Sequence, residues 1–215
     1  MRFFFIGGST SLGYNAGGKG FPLYIAENLP GASITMFLKN RMTASEALQS
    51  LRERNRELGK NDFYVIQLGA GDHYPLIQTT LFQGLQNLHI SPILRSILRR
   101  VGFSKNTTKY SEYREIIEEI FTIIRARNGI LLWIVTLQGY RFSPIERKKQ
   151  RQYYRDVFFE SKYRADERSQ ILDLNESLPK KLRSNDLIHP TQEGQIFITQ
   201  LILNNLHYRI REDLR

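Results

Sequence analysis

At 215 residues, with 41% hydrophobic and 24% charged residues, the chain has the size and composition of one soluble globular domain and neither a disordered nor a membrane-spanning character. Its 31 basic against 21 acidic residues leave a net charge of +10, which favours anionic partners such as acidic polysaccharide, lipid headgroups or nucleic acid without choosing among them. The absence of cysteine excludes disulfides, thiolate metal sites and a cysteine nucleophile.

Taken in chain order, FFFIG at 3–7 is a short apolar run closed by glycine, the pattern of a buried strand. MRFFFIGG meets glycine too soon for a secretory signal, and no apolar run approaches the ~20 residues of a membrane span, so a cytoplasmic location is expected. The strand delivers the chain to Ser9 in GGST. GYNAGGKG at 13–20 then comes close to a phosphate-binding loop, with Gly13, Gly18 and Lys19 in the required spacing. Gly20 stands where a serine or threonine should hold magnesium, so a loop beside Ser9 accounts better for these glycines. A helical pattern near 20–29, a strand SITMFL at 33–38, a helical pattern over 44–58 and a strand FYVIQLG at 63–69 follow. GAG at 69–71 opens a dinucleotide fingerprint, but Tyr74 occupies the place of its closing glycine.

The chain from Tyr74 to Tyr110 is longer than a connection needs, which predicts a helical insertion at about 74–110. Ile90, Ile93, Leu94, Ile97, Leu98 and Val101 recur there at helical spacing, with Arg95, Arg99 and Arg100 among them. This reads as a helix packed on the core with solvated arginines; the alternative is a lid or a membrane-surface helix. A helix over 111–127, a strand ILLWIVTL at 130–137 and a helix over 145–163 come next. The last of these lies in a basic tract in which Tyr153, Val157 and Tyr163 form an inward stripe while the charges face water. Without an RNA-binding or helix-turn-helix signature, no specific nucleic acid is predicted. QILDL at 170–174 is the fifth strand, and a final helix over 191–206 opens at Pro190 and Thr191. Strand and helix alternate throughout, which argues an α/β domain with a parallel sheet covered on both faces. Ligands of such sheets bind beyond the carboxyl ends of the strands, where Ser9 and the LGAGDH loop at 68–73 both stand.

Ser9 gains chemical meaning from DLIHP at 186–190, which offers Asp186 and His189 on one loop. A serine hydroxyl is a poor nucleophile until an imidazole takes its proton, and a carboxylate must orient that imidazole. Of the four histidines, only His189 has a carboxylate and a helix start at useful spacing; His73, His89 and His207 are read as surface or locally bonded residues. No metal-ligand cluster is visible and the chemistry requires no cofactor.

These residues give the chain a resemblance to the SGNH, or GDSL-type, hydrolases. GGST at 7–10 resembles the block that carries the nucleophile, LGAGDH the GxND block, and DLIHP the DxxHP block, in the family's order over nearly the whole chain. The resemblance implies a single domain over 1–215, a three-layer α/β/α sandwich with a five-stranded parallel sheet in the flavodoxin-like order 2-1-3-4-5, and a triad of Ser9, Asp186 and His189. It also implies an oxyanion hole made by the serine amide, a block-two glycine amide and a block-three asparagine side chain. Here Gly8 replaces the usual aspartate, Gly71 replaces that asparagine, and Arg41 or Met42 occupies the block-two position. Ser9, Arg41 and Gly71 are therefore the oxyanion candidates, with Asn15, Asn40 or His73 as substitute donors, and Asn40, Asp72 and His73 as candidate substrate contacts. Loss of one such donor costs about 10^2 to 10^3 in turnover, so slow catalysis is expected, with a gain from Gly71→Asn. The implied function is hydrolysis of an ester or O-acyl group of a small molecule or carbohydrate through an acyl-enzyme. The alternatives are an O-acyltransferase of polysaccharide biosynthesis on the same triad, or a noncatalytic domain that binds an anionic glycan.

Overall fold

Five segments too short for a stable helix, four of them apolar and rich in aromatic or branched side chains and the last the mixed SQILD, form the strands β1 (Arg2–Gly7), β2 (Ser33–Leu38), β3 (Phe63–Gln67), β4 (Ile130–Val135) and β5 (Ser169–Asp173). The computed structural model describes residues 1–73, 108–137, 144–185 and 189–213. All strand pairs are parallel and their order is β2-β1-β3-β4-β5, as the resemblance implies. β1 lies between β2 and β3, with Phe5 opposite Met36 on one side and Val65 on the other. The order reverses at β1, so its carboxyl end faces the crevice where such sheets bind ligands.

Alternation along the strands splits the core into two layers. On one face Phe4, Ile6, Tyr64, Ile66, Leu131 and Trp133 pack against α2 (Ala44–Glu53), α4 (Tyr110–Arg125) and the segment around Tyr153 and Val157. On the other, Phe3, Phe5, Val65, Leu132 and Ile134 pack against α1 (Phe21–Asn28), the one-turn α7 (Leu174–Ser177) and α8 (Gln192–Asp213). α4 shows the rule that selects these helices. Its buried residues Tyr113, Ile117, Ile120, Phe121 and Ile124 recur every three or four positions and so form one stripe. Each such side chain stabilises the fold by about 1.5–3 kcal/mol on burial. α2 begins with a capping box in which Thr43 and Glu46 satisfy each other's backbone N–H groups.

The helical pattern over 145–163 is not one helix. α5 (Pro144–Arg151) runs into a π-helical turn (Gln152–Asp156) and then α6 (Val157–Glu160). The wider turn buries the consecutive residues Tyr153 and Tyr154, which a regular helix would turn apart. Two of its carbonyls are taken from the core: Tyr113 Oη donates to Tyr153 O at 2.8 Å, and Trp133 Nε1 donates to Tyr154 O at 2.7 Å. Burial pushes the Tyr113 hydroxyl well above the ordinary tyrosine range, which keeps it a donor. Tyr153 and Val157 are buried and Tyr163 packs against them, while Arg155 lies 3.3 Å from Asp173, so this basic tract is an amphipathic helix face. The expected insertion, with its arginine-punctuated helix, lies outside the described residues apart from Thr108–Tyr110. Among the described residues no helix is long and apolar enough to cross a membrane.

Candidate active site

β1 ends at Gly7 and the chain turns at once. Leu12 N donates to Gly8 O at 3.1 Å, Gly13 N to Thr10 O at 3.2 Å and Tyr14 N to Ser9 O at 3.1 Å, which leaves Ser9 at the head of a tight loop. A Cβ at position 7 would stand 2.6 Å from Ser11 Oγ and 3.1 Å from Gln67 O, so a side chain there would push Ser11 Oγ off its bond to Gln67. Beneath the loop, Ser11 Oγ donates to Gln67 Oε1 at 2.8 Å and Gln67 Nε2 donates to Thr136 Oγ1 at 2.7 Å. That buried chain ties together the carboxyl ends of β1, β3 and β4 under the serine.

A second anchor comes from the far end of the sequence. Gln195 of α8 is fully buried; its Oε1 accepts from Phe21 N at 2.9 Å and its Nε2 donates to Thr10 O at 2.9 Å. Ahead of the helix, Arg183 and Pro190 form an antiparallel bridge, and Ser184 N donates to His189 O at 2.7 Å. Thr191 Oγ1 accepts from Gly194 N at 3.1 Å, so Thr191 caps α8 and Pro190 belongs to the bridge, not to the helix's first turn. These contacts hold His189 with Nε2 2.9 Å from Ser9 Oγ, a separation at which a neutral ring accepts the hydroxyl proton. The Tyr14 ring packs against the imidazole at a tilt of 46°, centroids 4.9 Å apart. Asp186, expected beyond the ring, lies outside the described residues.

Around Ser9 and His189 opens a cavity of about 190 Å³. Asn40 and Arg41 line it after β2, Thr136 and Leu137 after β4, and Gln150 and Tyr154 from α5 and its π-helical turn. Arg41 has φ +57, the left-handed conformation that glycine favours, at a position where the resemblance expects a glycine. Among the described residues no cluster of three histidines or carboxylates stands ready for a metal ion.

The short helix α3 (Ala70–His73) corrects three expectations. Only Ala70 of this helix lines the cavity. Gly71 turns against the block-two backbone: a Cβ there would lie 2.3 Å from Arg41 O and 2.4 Å from Met42 O. It therefore offers no oxyanion donor from a side chain and has no room for one, which overturns the gain expected from Gly71→Asn. Asp72 is fully buried, with Oδ2 accepting from Ala44 N at 2.9 Å and Oδ1 from Thr108 Oγ1 at 2.9 Å. Burial pushes its carboxyl up to about 6, against the pull of those two bonds. It holds α2 to the chain at 108 and is not a substrate contact. His73 is buried between the rings of Tyr153 and Tyr154, at centroid distances of 5.5 and 6.3 Å, and likewise does not reach the cavity.

Sequence reasoning missed Thr10, Tyr14, Thr136, Gln150 and Tyr154 as lining residues. Thr136 carried a signal, being the first polar residue after the wholly buried run of β4, at the end of the strand where ligands bind. Gln150 carried none, because it sits inside a run of charges.

The arrangement is similar to solved structures of lipolytic esterases. They include a lipolytic protein of the G-D-S-L family from Veillonella parvula (TM-score 0.66, 11% identity, 95% of this chain and 97% of that one). The esterase EstA from Pseudoalteromonas sp., in a structure inhibited by monoethylphosphonate, matches with TM-score 0.62 and 13% identity over 98% of each chain. The acetylxylan esterase Axe2 from Geobacillus stearothermophilus matches with TM-score 0.57 and 19% identity over 94% of this chain and 92% of that one. No family model matches the sequence, and no curated protein matches it. At these identities the likeness establishes architecture: the chain has the fold of the SGNH, or GDSL-type, hydrolases.

Proposed function

We propose that the protein is a serine esterase that hydrolyses an ester or O-acyl group of a small molecule or carbohydrate. The observation that carries this reading is the 2.9 Å approach of Ser9 Oγ to His189 Nε2 at the carboxyl rim of the sheet. Ser9 attacks the carbonyl carbon while His189 takes the hydroxyl proton. The imidazolium then gives that proton to the departing alkoxide, which leaves as the alcohol and an acyl-enzyme on Ser9. Water, deprotonated by His189, attacks the acyl carbon, and Ser9 recovers its proton as the acid departs. Asp186 orients the imidazole in this scheme, while the Ser9 amide and the Arg41 segment face the developing oxyanion. The esterases among the structural neighbours, one of which acts on acetylxylan, support the chemistry.

The test is labelling with a fluorophosphonate, which phosphonylates activated serines. One label per chain at Ser9 is expected, none in Ser9→Ala, and labelling slowed by about 10^4 in His189→Ala. A folded wild-type protein that stays unlabelled refutes the reading.

A further inference from the structure

The cavity beside Ser9 contains polar groups that neither the fold nor the proposed chemistry uses. Gln150 is 2% exposed, and its buried Oε1 has no hydrogen-bond partner. Thr10, next to the nucleophile, is 1% exposed and its Oγ1 is equally unpartnered. Both residues line the cavity together with Ser9 and His189. Folded proteins satisfy nearly all their buried polar atoms, so two exceptions in one wall point to a ligand that supplies the missing bonds.

Thr136, in the same cavity, adds a direction. The Ser11 N–H can only donate, and it does so to Gln67 Oε1 at 3.3 Å, alongside the Ser11 hydroxyl at 2.8 Å. With its oxygen held there, the Gln67 amide turns its N–H group to Thr136 and donates to Oγ1 at 2.7 Å. Thr136 Oγ1 is thereby an acceptor towards Gln67, and its own proton is left for the cavity that it lines. Thr136, Gln150 and Thr10 thus bring to one wall a hydroxyl proton, an unpartnered amide oxygen and a hydroxyl of either sense. A substrate hydroxyl, which both donates and accepts, complements all three. A phosphate or carboxylate offers acceptors only, and an alkyl chain would displace solvent and leave every one of these groups orphaned. At about 190 Å³ the space suits a short acyl group beside such a hydroxyl, being smaller than the usual range of drug-sized pockets.

We propose that Thr10, Thr136 and Gln150 form a hydroxyl-recognition subsite that selects short-chain esters of polyhydroxylated alcohols over plain alkyl esters. The selectivity rests on the esterase reading of Ser9; the binding does not require turnover. Glycerol 1-acetate and propyl acetate share a carbon skeleton and an acyl group, and differ only in hydroxyls. The wild-type protein is expected to prefer the glycerol ester in kcat/KM by about ten- to a hundredfold. Gln150→Leu and Thr136→Val should bring that ratio close to one, and Thr136→Ser, which keeps the hydroxyl, should retain it. Because Gln150 Oε1 has no partner to lose, Gln150→Leu should melt at or above the wild-type temperature, which separates lost recognition from lost folding. In parallel, Ser9→Ala and Ser9→Ala/Gln150→Leu are titrated with glycerol 1-acetate by NMR, and the second is expected to bind about tenfold more weakly. A wild-type ratio near one, an unchanged ratio in Gln150→Leu, or equal or absent binding in the titration overturns the subsite. A protein that fluorophosphonate leaves unlabelled refutes the esterase chemistry instead, and the titration still decides the subsite.

Discussion

Gly71 provides the sharpest test, because sequence and structure assign opposite signs to the same change. The family resemblance places an asparagine there and expects Gly71→Asn to accelerate catalysis. In the structure any Cβ at 71 would lie 2.3 Å from Arg41 O and 2.4 Å from Met42 O, both of them backbone atoms. Ordinary contact requires that segment to retreat by about 1 Å, and overpacking of this kind costs about 1–3 kcal/mol. For a domain of this size each kcal/mol lowers Tm by about 2–4 °C, so Gly71→Ala should melt about 2–12 °C below wild type. The segment that must move carries Asn40 and Arg41 in the cavity wall and leads into the Thr43 cap of α2. A displacement of about 1 Å beside the reacting atoms costs about 10^2 in rate. Thermal unfolding followed by circular dichroism, and the rate of fluorophosphonate labelling at Ser9, measure the two effects. Gly71→Asn should behave like Gly71→Ala or worse. An asparagine variant with an unchanged Tm and faster labelling refutes the argument.

Two further outcomes follow from buried polar groups. The Asp72 carboxyl sits at about 6 when folded against 3.8 ordinarily, so between these values the folded chain keeps a proton that the unfolded chain has released. Stability must therefore fall as pH rises from about 4 to 6 and then level off, by up to about 3 kcal/mol from this group. Urea unfolding of wild type and Asp72→Asn at several pH values isolates the effect in their difference, and a flat difference contradicts it. Gln195→Leu should cost about 1–3 kcal/mol for the buried Phe21 N that it strands, and less for Thr10 O, which keeps the bond from Gly13 N. It should also slow labelling, since it unties the Ser9 loop from α8. Denaturant midpoints and labelling rates read both, and an unchanged midpoint argues that Gln195 does not hold the loop.

The sequence determined the strands and their surroundings because burial on both faces leaves a local mark. FFFIG, SITMFL and ILLWIV are strands for the same reason that they are apolar, and the helical stripes between them declare which face each helix buries. Strand ends were less legible: FYVIQLG stops at Gln67, two residues before Gly69 adopts φ +103, because the chain must leave the sheet at the rim where the site is built. The likeness of GGST and DLIHP to known blocks also put Ser9 and His189 on one site, though 180 residues separate them.

Only the tertiary structure decided which way the remaining side chains face. Asp72 and His73 lie in the right loop, yet a short helical turn sends both inward, and the approach of residues 41 and 42 fills the place of an asparagine at 71. The π-helical turn that buries Tyr153 and Tyr154 together breaks the 3.6-residue period on which the helical reading over 145–163 relied. Gln150, in the helix ahead of that turn, reached the cavity wall from within a run of charges that masked it. Periodicity in a sequence reports that a residue is buried, whereas its partners are set by segments that arrive from elsewhere in the chain, and recognition at this site is made by those partners.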